Sequence, residues 1–185
     1  VKQETAQVQI ALAYPSVSFG HPDYYVAKLA VGVLSGGMSG RLFIEVREKR
    51  GLVYRVGASH NAAKGRGAIF AFAGTTPENA AECTQVMIRE LSGLANGVTE
   101  EELGRAKADL KSRVVMQGEL SGSRASGIAH DWWNLGRLRT LDEIKSEIDR
   151  VACDDIVRYA GAFPVSPVTL VTLGPSELSD TSFLK

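Results

Sequence analysis

The chain has 185 residues, 44% of them hydrophobic, and 21 basic side chains against 21 acidic ones, so its net charge is zero. A zero balance gives no long-range attraction to nucleic acid or to anionic lipid, and no basic run with interleaved aromatics appears. No apolar stretch reaches the ~18 residues that a membrane helix needs.

The length suits one hydrophobic core, because a domain of ~150 residues buries roughly 68–70% of the surface its unfolded chain exposes. The sequence therefore predicts a single domain, 1–185, with a loose tail over 176–185. The opening Val1 reads as the start of a piece of a longer protein. Cys83 and Cys153 stand alone in helical-looking segments, so buried, reduced thiols are expected rather than a disulfide framework or a zinc site.

In chain order, residues 6–14 (AQVQIALAY) alternate apolar and polar for part of their length, the pattern of a half-buried strand. A turn-rich link, PSVSFGHPD, leads to a helix from Tyr24 to Leu34 that Gly36 and Gly37 end. A second helix is predicted over 39–50 (SGRLFIEVREKR). It places Leu42 and Val46 on one face and Phe43 and Arg47 on the neighbouring one. Gly51 stands where a C-terminal glycine cap belongs.

VYRVGASHNAA and GRGAIFAFAGTT read as an antiparallel pair of strands turning at Lys64 and Gly65. Pro77 suits the first turn of a helix reaching about Leu94. Thr99 with Glu102 and Thr140 with Glu143 are two capping boxes, each opening a helix. Between those helices GELSGSRASGIAHDWWNLGR is helical through its middle. Of the adjacent Trp132 and Trp133, core packing is expected for at least one, with a chamber wall as the alternative. Asp154 opens a last helix, and PVTLVTLGP is a final strand. This order predicts an α+β fold: an antiparallel or mixed sheet covered on one face by helices.

Much familiar chemistry is missing. His21, His60 and His130 have no second histidine within a helical turn or two, and neither H-E-x-x-H nor H-x-x-E-H occurs. His130 is followed by Asp131, for which a surface or capping role is the ordinary reading. There is no G-x-S-x-G, no phosphate loop and no G-x-G-x-x-G after a strand; SGGMSG lacks a phosphate loop's lysine and reads as a turn.

What remains is Arg47 and Tyr54, seven residues apart across the break at Gly51. A guanidinium offers a rigid fork of donors, and a phenol one hydroxyl. Together they could hold a peptide backbone or stabilise negative charge on a carbonyl. The alternative is that Arg47 pairs with a nearby carboxylate and Tyr54 is a core tyrosine.

The stretch GGMSGRLFIEVREKRGLVYRV resembles the second homologous domain of zinc peptidases of the insulinase (pitrilysin) family, which includes the mitochondrial processing peptidases. Its pattern is a Gly-rich turn, then S-x-R-L-F, then R-E-K-x-G-L-x-Y. Further similar segments follow in order: AFAGTTPENA, VTEEELGRAKADLKSRVV and LGRLRTLDEIKSEIDRVACDDIVRYA. The likeness runs from about Val8 to Gly174 and points to the small bacterial-type branch, in the cytoplasm or periplasm.

The resemblance implies a processing-peptidase-like metallopeptidase half. In this family one domain binds zinc through H-x-x-E-H and a distant Glu, while the other supplies an Arg and a Tyr that hold substrate near the metal. Those positions here are Arg47, for a substrate backbone carbonyl, and Tyr54, near the scissile carbonyl, where it would support the transition state. The zinc motif is absent, so zinc is expected on a homologous domain of the same protein or on a partner subunit. No catalytic group proper and no metal ligand is expected in this chain. The implied partners are a peptide substrate and that zinc-bearing half, with a dimer among the allowed assemblies and neither nucleic acid nor membrane. The implied alternative is an inactive scaffold or a peptide-binding subunit beside a separate zinc-bearing chain.

Overall fold

A computed structural model describes residue 1 and residues 6–175 of the chain; the expected loose tail, 176–185, lies outside them. The described strands are β1 (Val8–Ser16), β2 (Val53–Ala63), β3 (Arg66–Thr75) and β4 (Thr169–Leu173). The described α-helices are α1 (Tyr24–Ser35), α2 (Ala80–Ser92), α3 (Glu100–Glu119), α4 (Ser121–Leu135), α5 (Leu141–Arg150) and α6 (Cys153–Ala162). A π-helical turn, Phe43–Glu48, stands between α1 and β2.

The strands form one sheet in the order β2-β3-β1-β4, with antiparallel pairing throughout. Register follows burial. Val8, Ile10, Leu12 and Tyr14 of β1 point into the core, while Gln9 and Ala11 face out. Opposite them on β3, Ile69, Ala71 and Ala73 are buried, whereas Phe70 and Phe72 stand on the open face. The helices cover the inward face, where Leu29, Leu34, Val46, Met87 and Ile156 complete the core. Each such fully buried side chain contributes about 1.5–3 kcal/mol. The α+β reading, with helices on one side of the sheet, is what the chain adopts.

Both predicted capping boxes form. Thr99 Oγ1 accepts from the Glu102 N–H at 3.2 Å and Thr140 Oγ1 from the Glu143 N–H at 3.1 Å, while each glutamate reaches back to the threonine N–H. Pro77 sits in the turn ahead of α2 rather than inside it.

Other expectations are corrected. The segment 39–50 is not a regular α-helix but is centred on the π-turn. Neither tryptophan of α4 is in the core: Trp132 is 66% and Trp133 71% exposed. The reason is that α4 packs chiefly along α3 and buries only Asp131. Cys83 is buried, and burial pushes its thiol up to about 12, but Cys153 is only half-buried beside Glu100. Among the described residues no helix is long and apolar enough to cross a membrane.

Candidate substrate-holding site

The site is built where a helical turn runs into an edge strand. Leu42 and Val46, four residues apart, are fully buried and fix the inward side of residues 42–46. The turn then widens: the Lys49 N–H donates to the Ile44 carbonyl, five residues back, at 2.9 Å. Single π-turns inside helices recur at functional positions because the extra residue re-aims the side chains that follow.

Closure of the turn is equally specific. The Gly51 N–H donates to the Arg47 carbonyl and the Leu52 N–H to the Val46 carbonyl, both at 3.0 Å. This is the nested pattern of a Schellman cap with one more residue in each loop. Gly51 has φ +61, so the predicted glycine cap is present. The Arg47 carbonyl is thus used up in the cap, while its side chain lies on the exposed side above the Phe43 ring, guanidinium carbon to centroid 5.0 Å.

Neighbouring charges are matched among themselves. Glu45 accepts from Lys49 Nζ at 2.6 Å and from Arg50 Nη1 at 2.8 Å, and these hydrogen bonds hold its carboxyl below the usual range. Arg47 has no carboxylate within ion-pair distance among the described residues.

At the start of β2 the ladder slips. Val53 pairs with Thr75 and Arg55 with Gly74, so Tyr54 is the extra residue of a β-bulge. A bulge is a common way to re-aim a side chain beside a site. Regular alternation back from His60, Ala58 and Val56, which face the helices, would send residue 54 inward. The bulge instead turns it out, and Tyr54 is 79% exposed, with no hydrogen-bond partner among the described residues. Neither alternative for the pair is realised among the described residues: Arg47 has no ion pair there, and Tyr54 is not in the core.

A long-range pair fixes the segment to the body. Arg41 donates to both oxygens of Glu102, from Nε at 2.6 Å and Nη2 at 2.8 Å, and Nη2 also donates to the Gly97 carbonyl at 2.8 Å. Arg41's hydrogen bonds hold the Glu102 carboxyl down at about 2.

The histidines do not converge. His21 Nδ1 accepts from the Asp23 N–H at 3.0 Å, and the exposed His130 ring stands edge-on to Phe19. His60 is buried with Nε2 3.0 Å from the Val17 carbonyl. No group of three or more His, Cys, Asp or Glu among the described residues is placed to hold a metal. These donors do not fit a catalytic zinc, which needs about three protein ligands on one ion.

The spacing of Phe43 and Arg47 made their contact readable from sequence, and the motif singled out Arg47 and Tyr54. Arg41–Glu102 and the bulge were missed. The first joins residues 61 positions apart, and the second is set by the register of a partner strand.

Residues 1–110 match the family model described as the peptidase M16 inactive domain, and the chain belongs to that family. It is 29% identical over 176 residues to an uncharacterised zinc protease of Bacillus subtilis, covering 95% of this chain and 43% of that protein. It is 31% identical over 176 residues to one of Mycobacterium bovis, covering 95% and 40%. The chain thus spans about two-fifths of these relatives' length. A solved peptidase M16 inactive domain from Pseudomonas fluorescens superposes with a TM-score of 0.83 at 24% identity, over 97% of this chain and 43% of that one, a likeness of fold.

Proposed function

We propose that this chain is the substrate-binding half of a zinc-dependent endopeptidase acting on peptides or unfolded segments, with the metal on a homologous partner half. The observation that carries the reading is two exposed polar groups, near in sequence, that have no hydrogen-bond or ion-pair partner among the described residues. The π-turn presents Arg47 and the bulge presents Tyr54, on either side of one glycine cap.

In this reading the Arg47 guanidinium donates to a backbone carbonyl of the bound peptide. Stacking on Phe43 limits its freedom before substrate arrives, which lowers the entropic cost of binding. The Tyr54 hydroxyl donates to the scissile carbonyl oxygen, where negative charge develops as the carbon becomes tetrahedral. Closure of the two halves would exclude water from an otherwise exposed phenol and strengthen that bond. The metal, when bound by the other half, supplies the activated water. Backbone-directed contacts of this kind tolerate many side chains, which supports a broad peptide range.

The test is peptide hydrolysis with the zinc-bearing half present, comparing wild type with Tyr54→Phe and Arg47→Ala. Tyr54→Phe should lower kcat by ~10²–10³-fold. Arg47→Ala should cost roughly 1.5–3 kcal/mol in kcat/KM. Full activity in both variants would refute the assigned roles. Peptide binding without any hydrolysis by the wild type would favour the alternative, a non-hydrolytic peptide-binding or scaffold subunit.

A further inference from the structure

Arg55 follows Tyr54 in the bulge. It pairs with Gly74, beside which the Gln9 side-chain amide lies 3.3 Å from where a Cβ would stand, and its guanidinium lies over the Phe72 ring at 5.0 Å. Phe72 in turn spreads across Gly57, where an added Cβ would come within 2.8 Å of its ring. The result is a cationic platform, guanidinium over ring, one residue along the chain from Tyr54. Consecutive Cα atoms are only about 3.8 Å apart, so a peptide held by Tyr54 lies within the long reach of Arg55.

Most arginines of the chain have a carboxylate partner; Arg47 and Arg55 are among the few that have none among the described residues. None of the four strands contains an aspartate or a glutamate. The open sheet face on which Arg55 lies instead presents Phe70, Phe72, Ala11 and Val171. Arg55 has no counterion among the described residues, and a guanidinium is the side chain best shaped to take a carboxylate.

We infer that the Arg55–Phe72 platform is a specificity subsite that selects peptides carrying an aspartate or glutamate close to the bond held by Tyr54. This rests on the substrate-holding reading above and names the substrate class for it: acidic peptide segments. The substrate carboxylate supplies the counterion that the strands lack, and the Phe72 ring supports the guanidinium from below.

The experiment uses the complete protein with its zinc-bearing half. Peptides identical except for Glu, Gln or Lys at one position, scanned on either side of a fixed cleavage site, are compared for wild type, Arg55→Glu, Phe72→Leu and Tyr54→Phe. Wild type should favour Glu over Gln by about threefold to fivefold at low salt at one position, the range of a solvent-accessible ion pair, with Lys disfavoured. The preference should shrink at high salt. Arg55→Glu should invert the order, and Phe72→Leu should weaken the preference without inverting it. Tyr54→Phe should slow all three peptides by a common factor.

An unchanged Glu-to-Lys ratio in Arg55→Glu, in an enzyme that still depends on Tyr54, overturns the subsite alone. If the ratio holds and Tyr54→Phe and Arg47→Ala are both fully active, the substrate-holding reading falls with it.

Discussion

Arg41 grips both carboxylate oxygens of Glu102, at 2.6 and 2.8 Å, and so ties the segment carrying Arg47 to the first turn of α3. Glu102 also caps α3 through Thr99, so one carboxylate serves two connections. Both side chains are mostly buried, which places the pair between a weak surface bridge and a fully desolvated one.

Glu102→Gln should therefore destabilise the chain by about 2 kcal/mol. The pH dependence has a definite sign. Glu102 is held at about 2 in the folded state against an ordinary 4.5. The unfolded chain thus takes up the proton first, and the stabilisation is full above pH 4.5 and lost as pH falls toward 2. Urea midpoints from pH 7 to pH 2.5 should fall for wild type and fall less for Glu102→Gln. Parallel curves would show that the pair contributes little.

Gly51 offers a separate test of the turn. Its φ of +61 is left-handed, and nothing lies within 4 Å of where a Cβ would stand. Gly51→Ala should then cost only the backbone strain, about 1 kcal/mol. Urea denaturation measures it. A loss well above 3 kcal/mol would mean that the nested cap collapses rather than strains.

The sequence carried the fold far because β1, β3 and most helices advertise themselves by periodicity and caps: Val8, Ile10, Leu12 and Tyr14 alternate, and Thr99 and Thr140 open their helices as their glutamates require. It carried the site partway. Arg47 and Tyr54 were legible through a motif, but their exposure depends on a π-turn and a bulge, and neither has a local code in residues 43–55. Trp132 and Trp133 misled because hydrophobicity says that a side chain is better covered, not that this chain covers it.

His60 gives the fold a second pH dependence, at a higher pH. Nε2 lies 3.0 Å from the Val17 carbonyl and must donate to it, which leaves Nδ1 unprotonated and without a hydrogen-bond partner among the described residues. Burial pushes its pKa down to about 4, helped by Lys28, whose Nζ donates to the His60 carbonyl. Between pH 6.5 and 4 the unfolded chain binds a proton that the folded one refuses. Stability is full above 6.5 and falls as pH drops, by up to roughly 3 kcal/mol. His60→Gln should lose stability at neutral pH yet flatten the slope between pH 7 and 4. An unchanged slope would exclude His60 as its source.

The Asp131–Arg139 pair should govern whether α4 stays on the body. Asp131 Oδ1 accepts from Arg139 Nη2 at 2.6 Å, and Oδ2 accepts from both Nε and the Arg139 N–H at 3.1 Å. Arg139 then reaches α1 through the Tyr25 hydroxyl at 2.8 Å and lies over Phe19. Both charged side chains are only 12% exposed, so removing one leaves the other desolvated and unmatched. Asp131→Asn should cost about 3 kcal/mol, close to what breaking a buried pair costs. Because α4 leans chiefly on α3, the damage should be local. Hydrogen exchange should quicken by more than tenfold in α4, with little change in β1 and β3. The double variant Asp131→Leu with Arg139→Met should recover part of the loss, since it removes the stranded charge as well as the bond. Exchange that quickens equally in the sheet would make the pair part of the global core rather than the fastening of α4.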